Sequence, residues 1–146
     1  MTTAKTATRP PLDGVLEAAI YVDDLDAAVA FYGGVLGLET VLRHDPRHVF
    51  FRCGSTIVLA FDAKLSREPS HNPDLPVPPH GATGAGHICF ATDSAALEHW
   101  VQHFKAQGIA PEADFHWPNG ARSVYLRDPA GNSVELAERR LWEGAA

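Results

Sequence analysis

Apolar residues recur along this chain in two different periods. VLEAAIYV (15–22) is an apolar run of β character. It leads into Asp23-Asp24, either of which can cap a helix. Leu25, Val29 and Tyr32 then return at helical spacing, with Ala28 on the same side. Gly33-Gly34 weaken that helix and Gly37 closes it. Strands are predicted over LETVLRH (38–44), HVFFRC (48–53) and STIVLAFD (55–62), separated by an Asp45-Pro46 turn and by Gly54. Between Ala63 and Thr83 stand five prolines and no sustained period, which reads as a linker or an active-site loop. The pattern resumes with a strand at GHICFAT (86–92). A helix follows from an N-cap at Ser94 to about Gln107, with Leu97, Trp100, Val101 and Phe104 on one face and Gly108 as its stop. Further strands are predicted over 110–115, SVYLRD (123–128) and SVELAE (133–138), with turns at Trp117–Gly120 and Pro129–Gly131.

The order is therefore β-α-β-β-β, linker, β-α-β-β-β, an internal repeat. EAAIYVDDLDAAVAFY lies over HICFATDSAALEHWVQ, so Glu17 falls on His87, 70 positions on (17 to 87). GSTIVLAF lies over GNSVELAE, 77 positions on (54 to 131), so Val58 falls on Glu135. On this reading Glu17, Val58, His87 and Glu135 hold equivalent inward places, and three of the four can bind a metal. Glu135, a carboxylate between Val134 and Leu136 in the last strand, is then aimed inward rather than at solvent. The division expected is a leader at 1–14, a first module at 15–62, a linker at 63–84, a second module at 85–138 and a tail at 139–146, together one domain.

Composition narrows the partners. The chain has 146 residues, 45% hydrophobic and 21% charged, with a formal net charge of -6. No run of Lys or Arg suggests a nucleic-acid surface, so a small molecule is the expected partner. No apolar stretch reaches the roughly 20 residues of a membrane span, and the start, MTTAKTATRPPLDG, has no signal-peptide core. A cytoplasmic protein is expected, with Cys53 and Cys89 as buried, reduced thiols.

YVDDLDAAVAFYGGVLGL, GHICFAT and RDPAGNSVELAE carry a resemblance to a known family. The layout from Val15 to Glu138 resembles the vicinal oxygen chelate superfamily, the glyoxalase/bleomycin-resistance/dioxygenase fold, and RDPAGNSVELAE matches its DPxGxxxEL signature. The resemblance implies an α+β fold: two βαβββ modules forming a cup-shaped, mostly antiparallel mixed sheet. It implies metal ligands on the first and fourth strands of each module, here Glu17, His87 and Glu135 with Val58 at the fourth place. Two departures stand out. Glu17 occupies a position usually His or Gln, and Val58 occupies a carboxylate position. The set suits a divalent ion such as Mn, Fe, Ni or Zn.

The resemblance also implies a glyoxalase-like lyase or isomerase acting on a small oxygenated substrate through metal-stabilised oxyanion chemistry, with Glu135 or Glu17 as the catalytic carboxylate. Two alternatives stay open. One is an Fe(II) extradiol-type dioxygenase, which wants a second His from His80 or His48. The other is a non-catalytic drug-binding protein of the bleomycin-resistance type. Arg122 is a candidate for an anionic substrate group, and Tyr21, Trp117, His80 and His48 are candidate pocket residues. A homodimer is expected, because a cup of two modules leaves sheet edges to cover.

Overall fold

The computed structural model describes residues 9–143. Two four-stranded sheets carry the fold. The first comprises β1 (Glu17–Val22), β2 (Glu39–His44), β3 (His48–Cys53) and β4 (Thr56–Asp62), in the spatial order β1-β4-β3-β2. The second comprises β5 (His87–Thr92), β6 (Ala113–His116), β7 (Arg122–Arg127) and β8 (Ser133–Glu138), in the order β5-β8-β7-β6. In each sheet the first and fourth strands pair in parallel and the remaining pairs are antiparallel. This is the two-module fold the repeat implies. The sheets are not hydrogen-bonded to one another, so one chain forms two open sheets rather than one continuous cup.

Each module has one helical segment between its first two strands. α1 (Leu25–Ala28) begins where the Asp24 side chain accepts a hydrogen bond from Ala27 N–H at 3.0 Å. At Val29–Val35 it widens into a π-helix across Gly33-Gly34, and Leu36 N–H donates to Phe31 O at 2.9 Å. α2 (Ser94–Ala106) is capped by Asp93, whose carboxylate accepts from Ala96 N–H at 2.8 Å. The cap is thus one residue earlier than the Ser94 the sequence suggested. A carboxylate at that place also complements the positive end of the helix.

The core is continuous across the modules. Ile20, Val22, Tyr32, Phe51 and Val58 from the first join Leu97, Phe104, Val124, Val134 and Leu136 from the second. The knot between them is the turn after β7. Asp128 is buried, and its carboxylate accepts hydrogen bonds from Ala130 N–H, Asn132 N–H and Nδ2 and, at 2.7 Å, from the Tyr32 hydroxyl. Gly131 takes φ +89°, which an L side chain adopts only under strain. Asn132 in turn donates to Tyr21 O and accepts from Gly86 N–H. The DPAGN stretch is therefore first a folding device. It fixes where β8 begins, and so which face each β8 side chain takes.

Candidate functional site

Alternation along the strands gives each sheet a helix-covered face and an open face. On the first sheet Glu17, Ala19 and Tyr21 point to the open face with Leu59, Phe61, His48 and Phe50, while Ala18, Ile20, Val58 and Ala60 point to the core. On the second sheet His87, Cys89 and Glu135 share the open face with Ser123, Tyr125 and Phe115.

This overturns the expected role of Val58. The cross-strand register pairs Glu17 with Ile57 and Ala18 with Val58, whereas it pairs His87 with Ser133 and Ile88 with Val134. Val58 is thus the first-module equivalent of Val134, 2% exposed and in the core. The position equivalent to Glu135 is Leu59, 76 positions back (135 to 59). Matching Gly54 to Gly131 aligned two turns of different length and slipped the comparison by one residue, which in a strand swaps the faces.

His87 and Glu135 come together. His87 Nε2 lies 3.3 Å from Glu135 Oε1, with the imidazole side chain 50% exposed and the carboxylate residue 5% exposed. The ring's other nitrogen, Nδ1, is 3.2 Å from Ser133 O and 3.2 Å from Ser133 Oγ. Ser133 O can only accept from Nδ1, whereas Ser133 Oγ can accept from it or donate to it, so these contacts orient the ring without fixing which nitrogen carries the hydrogen. At this distance Nε2 and Oε1 can share a proton or serve as two ligands of one metal ion. This is also the arrangement in which a metal-ligating imidazole is oriented from behind by its second nitrogen. The other carboxylate oxygen is occupied: Ser123 Oγ–H donates to Glu135 Oε2 at 2.6 Å, and Trp117 Nε1–H donates to Ser123 Oγ at 2.8 Å.

Two further groups border Glu135. Desolvation of the sulfur by the surrounding strands, although the residue as a whole is exposed, and then the negative charge of Glu135 push the Cys89 thiol up to about 12. The same causes, in the same order, push the Tyr125 hydroxyl up to about 12. Both therefore stay protonated near neutral pH. Cys89 is exposed and Cys53 is half-buried, which corrects the expectation that both thiols are buried. Strand alternation puts Cys89 on the open face, where a hydrophobic-run argument cannot see the difference. The rings of Phe115, Tyr125 and His87 form a stacked row across this face, with Trp117 edge-on to Phe115.

The remaining candidates lie elsewhere. Glu17, His48 and His80 line a cavity on the open face of the first sheet, to which neither His87 nor Glu135 contributes. The Tyr21 hydroxyl is 2.7 Å from His80 Nδ1. Among the described residues no three His, Cys, Asp or Glu side chains converge within the chain. Glu17 therefore does not join His87 and Glu135 in one copy, and neither His80 nor His48 supplies a second imidazole there.

Arg122 is not available to an anion. Asp114 binds its guanidinium through both oxygens at 2.8 and 2.7 Å, and Glu98 binds it at 2.6 Å. The hydrogen bonds to Asp114 and Glu98 raise the Arg122 pKa and hold both carboxylates below their usual range. Sequence reasoning had no access to Arg47, a half-buried cation lining the first-sheet cavity, because its turn carries no motif. Ser123, the anchor of Glu135, was equally silent.

Comparison with known proteins supports this architecture. The sequence profile of the Glyoxalase/Bleomycin resistance protein/Dioxygenase superfamily matches residues 14–136. A lactoylglutathione lyase from Agrobacterium tumefaciens is similar in structure, with a TM-score of 0.87 and 48% identity over 92% of this chain and 99% of that one. A glyoxalase/bleomycin resistance protein/dioxygenase from Nocardioides has a TM-score of 0.68 at 24% identity, covering 92% and 86% of the two chains. An integron cassette protein from the Halifax Harbour sewage outfall metagenome has a TM-score of 0.69 at 20% identity, covering 87% and 99%. These last two show the fold alone. No curated protein matches the sequence. No helix among the described residues is long and apolar enough to cross a membrane. The two open-faced modules, the DPAGN turn and the profile match agree: the chain belongs to the Glyoxalase/Bleomycin resistance protein/Dioxygenase superfamily.

Proposed function

We propose that this protein is a metal-dependent, glyoxalase-like enzyme of lyase or isomerase type, acting on a small oxygenated substrate at a site completed by a second copy of the chain. The observation that carries the reading is the approach of His87 Nε2 and Glu135 Oε1 to 3.3 Å on the open face of the second sheet. Imidazole and carboxylate together suit Mn, Fe, Ni or Zn. A bound divalent ion supplies polarisation of a carbonyl or adjacent oxygen pair and stabilises developing oxyanion charge.

The chain's own residues divide the remaining work. Ser133 fixes the His87 ring. Ser123, backed by Trp117, holds Glu135 Oε2, so Oε1 is the oxygen left to accept or return a proton. Cys89 and Tyr125 remain protonated and do not compete as bases.

The third donor in this reading is Glu17 of a second copy. Two features support the pairing. β1 and β5 each have one unpaired edge, and Leu12, Val15 and Leu16 stand exposed beside β1. A twofold dimer covers them and builds two equivalent sites. Leu59 then leaves the fourth position without a protein ligand, and three donors with an open place mark a catalytic rather than a structural metal site.

The Agrobacterium relative bears the name lactoylglutathione lyase, so lactoylglutathione is the first substrate to assay. Metal analysis of the purified protein tests the reading directly. One divalent ion per site is expected, lost in His87→Ala and Glu135→Ala without loss of fold, and activity should depend on it. A fully metal-free protein that gains nothing from added divalent ions sinks it. One observation favours a second reading, a drug-binding protein: the first-sheet cavity is large, about 1010 Å³.

A further inference from the structure

The first-sheet cavity has its own chemistry. Its floor is Phe50, Leu59 and Phe61 on the open face, and its roof is Leu75, Pro78 and Pro79 from the segment joining the modules. The roof is tied down by the Tyr21–His80 hydrogen bond, and the His80 ring stands edge-on to Phe61 with centroids 4.5 Å apart. Flat apolar surface is thus presented from both sides, a construction suited to a flat apolar body.

The polar end is rich in basic side chains. Arg43, Arg47, His44, His48, His71 and His80 line the cavity against one carboxylate, Glu17. Arg43 is committed to Asp26 and Asp45 at 2.7 and 2.8 Å. Arg47 donates to Leu65 O at 3.0 Å and has no carboxylate partner among the described residues. Next to it, His48 stacks on Phe50 at a centroid distance of 4.3 Å, and its Nδ1 is buried with no hydrogen-bond partner. That is the only such side-chain atom among the described residues, where buried polar groups otherwise find partners. Burial, His44 and Arg47 hold the His48 pKa below its usual value, so this ring offers a hydrogen bond rather than a charge at neutral pH.

We infer that this cavity binds an organic monoanion with a flat apolar body, an aromatic or alicyclic carboxylate, whose charged group is held by Arg47 and His48. A carboxylate oxygen accepts from the cavity-facing edge of the His48 ring and neutralises Arg47, while the body lies between the phenyl floor and the proline roof. Glu17 and Leu59 line this same cavity, so the inference rests on the proposed function and names a ligand class for that site, while the binding itself does not require a bound ion.

Calorimetric titration of the metal-stripped full chain with naphthoate, and with neutral naphthamide of the same shape, tests it. Naphthoate should bind saturably, one per chain, and naphthamide about tenfold more weakly or worse, the loss expected for one charge-assisted hydrogen bond. Arg47→Gln and His48→Phe should each erase that preference while leaving naphthamide binding and the thermal melt close to the parent. His48→Phe keeps the stack on Phe50 and decides the matter alone should Arg47→Gln fail to fold. Arg122→Gln, outside the cavity, should bind naphthoate like the parent, and because the chain is metal-stripped a failed metal prediction leaves this one standing. No saturable naphthoate binding at millimolar concentration, equal affinity for the two probes, or a preference that survives both variants overturns the inference.

Discussion

Consider a carboxylate placed at each of two adjacent positions, Val58→Glu and Leu59→Glu. Val58 is 2% exposed on the helix-covered face, between Ala18 of β1 and Phe51 of β3. Glutamate there gives up the burial of a valine, about 1.5 kcal/mol or more, and puts an unpaired acid into the core. Breaking a buried charge balance in this way costs about 3–5 kcal/mol. For a chain of this size each kcal/mol moves the melting temperature by roughly 2–4 °C, so Val58→Glu should melt at least about 10 °C below the parent. Leu59 is 8% exposed but faces the cavity. Its replacement loses apolar contact while the new carboxylate reaches cavity water near Arg47 and His48, and about 1–2 kcal/mol should be lost. Melts followed by circular dichroism, with and without added nickel or zinc, read the difference. Added metal should raise the melting temperature of Leu59→Glu beyond the parent's gain, because Leu59 is the counterpart of Glu135. Metal should not rescue Val58→Glu. If Val58→Glu melts within a few degrees of the parent, or if it alone responds to metal, the register argument fails.

Other expectations follow from the same geometry. Mixing inactive Glu17→Ala and His87→Ala chains should restore part of the activity, because one of the two sites in a mixed dimer regains every ligand; no recovery after verified subunit exchange would place the site within one chain. Arg122→Gln should cost about 1 kcal/mol, discounted for exposure, and leave metal content unchanged in elemental analysis. Glu98 and Asp114 are held below the usual carboxylate range, so their contribution is present at neutral pH and is lost as pH falls through their folded values. The stability gap between parent and Arg122→Gln, measured by urea titration, should therefore narrow in acid. The Cys89 thiol, shifted from 9.0 to about 12, should alkylate far more slowly at mildly alkaline pH than an unperturbed thiol, and Glu135→Gln should quicken it. Peptide mass mapping of the iodoacetamide adduct measures the rate, and fast labelling in the parent would contradict the electrostatics described for Glu135.

The sequence by itself determined the element order and the module repeat, because periods of two and of 3.6 are written in which residues are apolar. It also determined the DPAGN turn, since Asp, Pro, Gly and Asn each act on the local backbone, and it singled out His87 and Glu135, whose residue types stand out in apolar strands. It could not determine face. Moving one residue along β4 exchanges Val58 for Leu59, and only the pairing with β1 and β3 says which of them meets the cavity. Partnership was equally hidden. Arg122 looked free and is bound by two carboxylates on other elements, whereas Arg47, which no motif marks, lines the cavity with no carboxylate partner among the described residues. Whether the two open faces meet is a matter of how the modules lie in space, and strand pattern carries no information about that. Local periodicity is set by contacts within a few residues, while faces, ion pairs and cavities are set by contacts across the chain, and those exist only once it has folded.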